Sequence, residues 1–145
     1  MRVVAQRVVQ ASVSVAGIVH GSCERGLVIL VGIAAGDSEE DAVRLAGRVA
    51  RLRVFENDEG RLDRSIAEIG GGALVVSQFT LVADTRKGNR PSFAAAAPPD
   101  LAEPLYKRFC DALRAEGVEV ATGVFGARME LTLVNDGPVT IVLET

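Results

Sequence analysis

The chain has no tryptophan, one tyrosine, one histidine and two cysteines, and aromatic residues make up only 4% of it. Each scarcity excludes something. Cys23 and Cys110 stand far apart with no Cys-x-x-Cys or Cys/His grouping, which argues against both a disulfide framework and a zinc site and leaves free cytosolic thiols as the default. His20 has no second histidine to share a metal with, and a Ser-His-Asp relay would have to run through it. We read His20 as a surface residue and expect neither metal nor cofactor. Long apolar runs are missing too. The longest, Leu27 to Ala35, is far too short to span a bilayer, and Met1 to Arg7 lacks the apolar stretch of a signal peptide. The expectation is a soluble, cytoplasmic protein with no membrane partner. Cations are also in short supply: 16 Lys and Arg face 19 Asp and Glu, for a net charge of −3. That composition offers no broad nucleic-acid surface, so any such partner must be gripped locally.

What the chain does have is aliphatic bulk. In 145 residues, 48% of them hydrophobic, there is enough interior for one domain whose core is Val, Leu, Ile and Ala. Residues 2–9 and 11–19 alternate as two strands, with Arg7 on the same face as Val3, Ala5 and Val9. A buried arginine needs a partner, so either this face is half solvated or Arg7 reaches a carboxylate or a set of carbonyls; solvation is the plainer reading. Gly26 leads into the continuous apolar strand Leu27 to Ile33. Asp37 as N-cap, with Glu40 in the capping-box position, opens an amphipathic helix in which Ala42, Val43, Leu45, Ala46, Val49, Ala50 and Leu52 recur at helical spacing. A turn at Asn57 to Gly60 follows, and then the break Gly70-Gly71-Gly72. Neither a helix nor a Gly-Lys-Ser/Thr ending follows that break, which argues against a phosphate-binding loop.

The most strand-like run is Ala73 to Val82, apolar on both alternating faces yet carrying Ser77, Gln78 and Thr80. Gln78 and Thr80 share a face, about 7 Å apart along an extended strand. An unpartnered buried hydroxyl or amide costs about 1–3 kcal/mol, so these groups require internal hydrogen bonds or a ligand; from the run alone, internal bonds are favoured. Next comes a polar loop, Ala83 to Phe93, whose Arg86, Lys87 and Arg90 make it the best candidate for a local phosphate or RNA grip. A second helix near 100–116 steps through Leu101, Leu105, Phe109 and Leu113, with Pro104 delaying its regular start to about Glu103. Met129, Leu131 and Leu133 lie on one face of a strand, Asn135 to Pro138 form a turn, and Val139 to Leu143 close the sheet. A cis Gly137–Pro138 bond would point its two carbonyls in nearly the same direction, as a small polar fork, whereas a trans bond would make an ordinary hairpin turn. The architecture implied is α+β: one domain over 1–145, with a mostly antiparallel, barrel-like sheet and two principal helices packed against it.

Two motifs carry more than fold. Ser77-Gln78-Phe79-Thr80-Leu81 together with Asn135-Asp136-Gly137-Pro138-Val139-Thr140 resembles the signature pair of the D-aminoacyl-tRNA deacylase (D-tyrosyl-tRNA deacylase) family, and both strings match completely. The likeness runs nearly end to end, taking in Gln6-Arg7-Val8, Ala11-Ser12-Val13 and Asn89-Arg90-Pro91-Ser92-Phe93; it departs at Leu62-Asp63, where many members carry Met-Asn. The resemblance implies a homodimer that hydrolyses the ester between a D-amino acid and the 3′-terminal adenosine of tRNA, and that also removes glycine mischarged on tRNA-Ala. It implies a cis Gly137–Pro138 bond inserted into the partner subunit's site, where the two carbonyls hold the substrate amino group and exclude an L side chain. Ser77, Gln78, Phe79 and Thr80 would line the pocket, largely through main-chain groups. Arg7 is similar to the arginine that fixes the glycine-proline loop, and Phe125 and Met129 resemble residues that hold the terminal adenosine. The partner is then the 3′ end of aminoacyl-tRNA, with no DNA.

The bottom-up chemistry is compatible with this. An activated aminoacyl ester needs little beyond a positioned water and an oxyanion site, which backbone N–H groups along Ser77 to Thr80 can supply. The family is thought to use the tRNA 2′-OH, which removes the need for a protein base, and no residue in the sequence obviously activates Thr80 as a nucleophile. Two other readings are a non-catalytic RNA-end binder using Arg86, Lys87 and Arg90, and a purely structural dimer. Neither explains the two motifs together.

Overall fold

The first strand, β1 (Arg2–Val15), runs on through the point where two separate strands were expected, and only its alternation breaks there, with Arg7 and Val8 both buried and Val9 and Gln10 both exposed. A turn at Ala16 and Gly17 folds it back into β2 (Ile18–Cys23), and β3 (Gly26–Gly32) follows. The computed structural model describes residues 1–145. One side of β1 is shared, with its first half on β3 and its second half on β2, while its other side pairs with β8 (Glu130–Glu144). These contacts are antiparallel. β3 then pairs in parallel with β6 (Gly72–Ser77), and β6 with β7 (Glu119–Thr122). The centre of the mostly antiparallel sheet is therefore parallel. Parallel neighbours need crossovers, which are supplied by α1 (Glu39–Ala50) and α2 (Pro99–Ala115). A two-stranded flap, β4 (Phe55–Glu56) and β5 (Leu62–Arg64), brackets the Asn57 to Gly60 turn, and Asp63 in it pairs with Arg53.

The curled sheet divides the interior in two. Val3, Leu27, Ile29, Val31, Ala73 and Val75 pack with both helices, while Val8, Ala11, Val13, Val28, Leu74 and Val76 fill the inside of the barrel. The two-faced apolar pattern of the central strand thus holds as far as Val76.

Several local expectations are corrected. Ser38, not Asp37, caps α1, and Asp41 completes the capping box. Asp37 instead accepts from the Met1 amine at 2.5 Å and from the Ala34 N–H at 2.6 Å. Pro104 does not delay α2, which begins at Pro99; it sits in the second turn and removes the single backbone bond to the Asp100 carbonyl. The buried stripe of α2 runs through Ala102, Tyr106, Phe109 and Leu113, and Leu101 is exposed. No helix is long and apolar enough to cross a membrane.

Candidate active site

The central strand stops at Ser77, earlier than its apolar pattern suggested, and Phe79–Val82 form a single 3-10 turn. This corrects the picture of buried polar groups. Gln78 is half-buried and Thr80 exposed, and the Gln78 amide donates to the Thr80 hydroxyl. Because a helical turn leaves its opening N–H groups without partners inside it, those of Phe79 and Thr80 are released from the ladder here. The turn is pressed onto β3. Gln78 N–H donates to the Val31 carbonyl at 2.8 Å, and a Cβ on Gly32 would lie 2.9 Å from the Gln78 carbonyl oxygen and 2.8 Å from Leu81 Cβ. Arg2 donates to the Leu81 carbonyl at 2.7 Å, which fixes the far end.

A cleft of about 480 Å³ opens beside this turn. Ser77, Gln78, Phe79, Phe125 and Met129 all line it, together with the apolar side chains of Val31, Ile33, Val76 and Leu131. Five of the residues singled out from sequence therefore meet around one space, with Thr80 attached through Gln78. A larger groove of about 760 Å³, lined by Cys23, Arg25, Gly70 to Gly72 and Glu119, contains none of them. Cys23 there has its thiol pushed up by burial, and Cys110, pushed up to about 11 by burial in the helix layer, is likewise a poor nucleophile. His20 is exposed on β2 and lines neither space.

Arg7, Gly137 and Pro138 form a second group outside the cleft. The turn expected at Asn135 to Pro138 is a bulge within β8. Val8 pairs with Asn135 and Gln6 with Thr140, so the residues between leave the ladder opposite Arg7. Arg7 is buried, contrary to the solvated reading: its Nη1 donates to the Val54 carbonyl at 2.7 Å, and its Nε lies 3.3 Å from the Asp136 carbonyl oxygen and 3.2 Å from its carboxylate. The guanidinium needs this many acceptors because burial has removed its water. Asn135 closes the base of the bulge, donating to the carbonyls of Arg7 at 2.8 Å and Val139 at 3.1 Å. Gly137 and Pro138, joined by a cis bond, stand exposed at its tip.

Sequence reasoning missed three supports: Gly32, Arg2 and Tyr106. Tyr106, the only tyrosine, donates from its buried hydroxyl to the Val75 carbonyl at 2.7 Å and packs on Phe125 with ring centres 5.9 Å apart. Burial of its ring and hydroxyl raises its pKa far above the usual range, so it stays a donor at any working pH. Tyr106→Phe is expected to cost about 1 kcal/mol, since the Val75 carbonyl keeps the Gly123 N–H at 3.3 Å. Thermal unfolding should show a melting point lower by about 2–4 °C; an unchanged one would mean that this bond carries no net stabilisation.

Comparison with known proteins accords with this geometry. The sequence profile of the D-Tyr-tRNA(Tyr) deacylase family matches residues 4–144. A D-aminoacyl-tRNA deacylase of Deinococcus deserti (strain DSM 17065 / CIP 109153 / LMG 22923 / VCD115) is 57% identical over 144 residues, 99% of each chain, and one of Thermus aquaticus is 53% identical over 100% of this chain and 95% of its own. Among solved structures, a c-Myc DNA unwinding element binding protein superposes with a TM-score of 0.93 at 38% identity, covering 100% of this chain and 99% of the other. A probable eukaryotic D-amino acid tRNA deacylase shares the fold, with a TM-score of 0.84 at 21% identity over 98% and 97% of the two chains. A match that spans the chain from β1 to β8 and takes in both motifs leaves one assignment: the chain belongs to the D-Tyr-tRNA(Tyr) deacylase family.

Proposed function

We propose that this chain is a D-aminoacyl-tRNA deacylase, a cytoplasmic hydrolase that cleaves the ester linking a D-amino acid to the 3′-terminal adenosine of tRNA, and the same ester of glycine mischarged on tRNA-Ala. The observation that carries the reading is the cleft that gathers Ser77, Gln78 and Phe79 with Phe125 and Met129. Phe125 and Met129 take the adenosine. The N–H groups at the start of the Phe79–Val82 turn face the carbonyl oxygen as negative charge develops on it. Thr80 is not the nucleophile in this scheme: its hydroxyl is engaged by the Gln78 amide, a donor that cannot accept a proton. The attacking water is assisted by the tRNA 2′-OH.

Chirality is assigned to the second group. Arg7 and Asn135 brace the bulge so that the Gly137 and Pro138 carbonyls project from the surface, and in a homodimer they enter the partner's cleft, bind the substrate amino group and leave no room for an L side chain. Main-chain exclusion is blind to side-chain identity, which suits a site that accepts many D-residues. No DNA-binding role is carried over from the solved relative, because a net charge of −3 offers no broad phosphate-binding face. The test is hydrolysis of matched D- and L-tyrosyl-tRNA by the purified protein in the presence of a chelator. Loss of the D ester alone is expected; survival of both esters by a folded, tRNA-binding protein would replace the deacylase with an RNA-end binding module.

A further inference from the structure

Two phenylalanine rings stand in solvent beside the cleft. Phe79 is 54% and Phe93 39% exposed, and the rings meet edge to face with centres 5.1 Å apart and planes at 71°. In a chain with five phenylalanines, leaving two of them partly on the surface forfeits part of the stabilisation that full burial would give. Phe79 borders the cleft; Phe93 does not, and extends the aromatic surface away from it. Phe93 follows a loop whose neck is closed by reciprocal Asp84 and Ser92 backbone bonds of 2.8 and 2.9 Å. Within the loop Arg86 is committed to Asp84, with contacts of 2.9 and 2.7 Å, and its side chain and backbone N–H hold that carboxyl down at about 2, so the tie persists at working pH. Lys87 and Arg90 are exposed and form no ion pair.

We propose that Phe93, seated against Phe79, is a stacking platform for the unpaired base immediately 5′ of the aminoacylated nucleotide, with Lys87 and Arg90 taking the adjoining phosphates. The inference rests on the reading that the cleft holds an aminoacyl-adenosine. Aromatic faces bind any unpaired base, and cations beside them track the backbone, which makes this combination fit single-stranded RNA. It also gives an acidic protein a local grip on tRNA: two cations without acidic partners, Lys87 and Arg90, stand on the loop that leads into Phe93. The platform acts on affinity, not on the chemical step.

The test compares two substrates, D-tyrosyl-tRNA and the minimal ester 3′-O-(D-tyrosyl)adenosine, which lacks the neighbouring nucleotide. Phe93→Leu is expected to raise KM for the tRNA on the order of tenfold with kcat unchanged, to leave the adenosine ester unaffected, and to be rescued by Phe93→Tyr. The double variant Lys87→Gln, Arg90→Gln removes two phosphate contacts and should flatten the salt dependence of KM for tRNA by about 1.4 units of log–log slope. Equal losses on both substrates, or no loss on tRNA, would overturn the platform while leaving the deacylase reading intact. A wild-type protein inert on both esters would bring down that reading and this subsite with it.

Discussion

Gly137→Ala is expected to lower turnover of D-tyrosyl-tRNA by about 100-fold, the scale set by displacing a positioning group by roughly 1 Å, while the protein stays folded. Gly137 has φ +119°, a backbone region that L side chains rarely adopt, and holding alanine there costs about 1–3 kcal/mol. There is no room either: the new Cβ would lie 2.9 Å from Val139 Cγ2 and 3.1 Å from Arg7 Nη2. Arg7 cannot yield freely, because the same guanidinium is bonded to the Val54 and Asp136 carbonyls. The chain at 136–139 must therefore shift, and the two carbonyls assigned to the substrate amino group shift with it. Single-turnover hydrolysis of the D and L esters, beside a melting curve, separates the effects. A variant with wild-type rates and selectivity would show that the tip of the bulge has no part in the chemistry.

The second large effect is at Gly32→Ala, far from Gly137 in sequence and on a different strand. Its Cβ would be forced against the Gln78 carbonyl oxygen and Leu81 Cβ, and neither is the free end of a flexible side chain. Overpacking of this kind costs about 1–3 kcal/mol. We expect the Phe79–Val82 turn to lift from β3, which would misalign the N–H groups proposed for the oxyanion and lower kcat by about 100-fold, with a melting point lower by several degrees. The drop in kcat at a temperature where the variant is fully folded is the diagnostic. Stability loss with normal kcat would mean that the turn tolerates displacement and that its N–H groups are not the oxyanion site.

What was legible in the sequence, and what was not, follows from the range of the forces involved. The paired faces of β6 and the helical stripe of α1 are set by short-range periodicity, and both are found where periodicity placed them, except that Val43 is exposed and Leu52 lies past the end of the helix. Beyond Ser77 the apolar pattern continued but the strand did not: the 3-10 turn packs on Gly32, a residue distant in sequence that only the fold brings alongside. Arg7 misled for the same reason. Its acceptors, Val54 and Asp136, lie on other elements, so a local reading favours solvent. Five residues of the cleft were identified through the family resemblance, and the structure brings them together; nothing in their spacing alone marks Phe125 and Met129 as sharing a cleft with Ser77. Tyr106 and Arg2 act through main-chain carbonyls, and such contacts leave no trace in a linear pattern.

The pairing of β1 with β8 along both halves has a consequence for how the protein is made. Val3 lies beside Leu143 and Ser14 beside Glu130, so the opposite ends of the chain form one ladder. Contacts of such long sequence separation form late, since the loop between them must be ordered first. During synthesis β1 emerges first and has to wait for the last strand, with one edge unpaired and Val8 and Val13 lacking part of their cover. The ribosome therefore releases a chain whose barrel is still open, and the yield of active enzyme in a cell will depend on how well that waiting edge is protected before the C-terminal strand arrives.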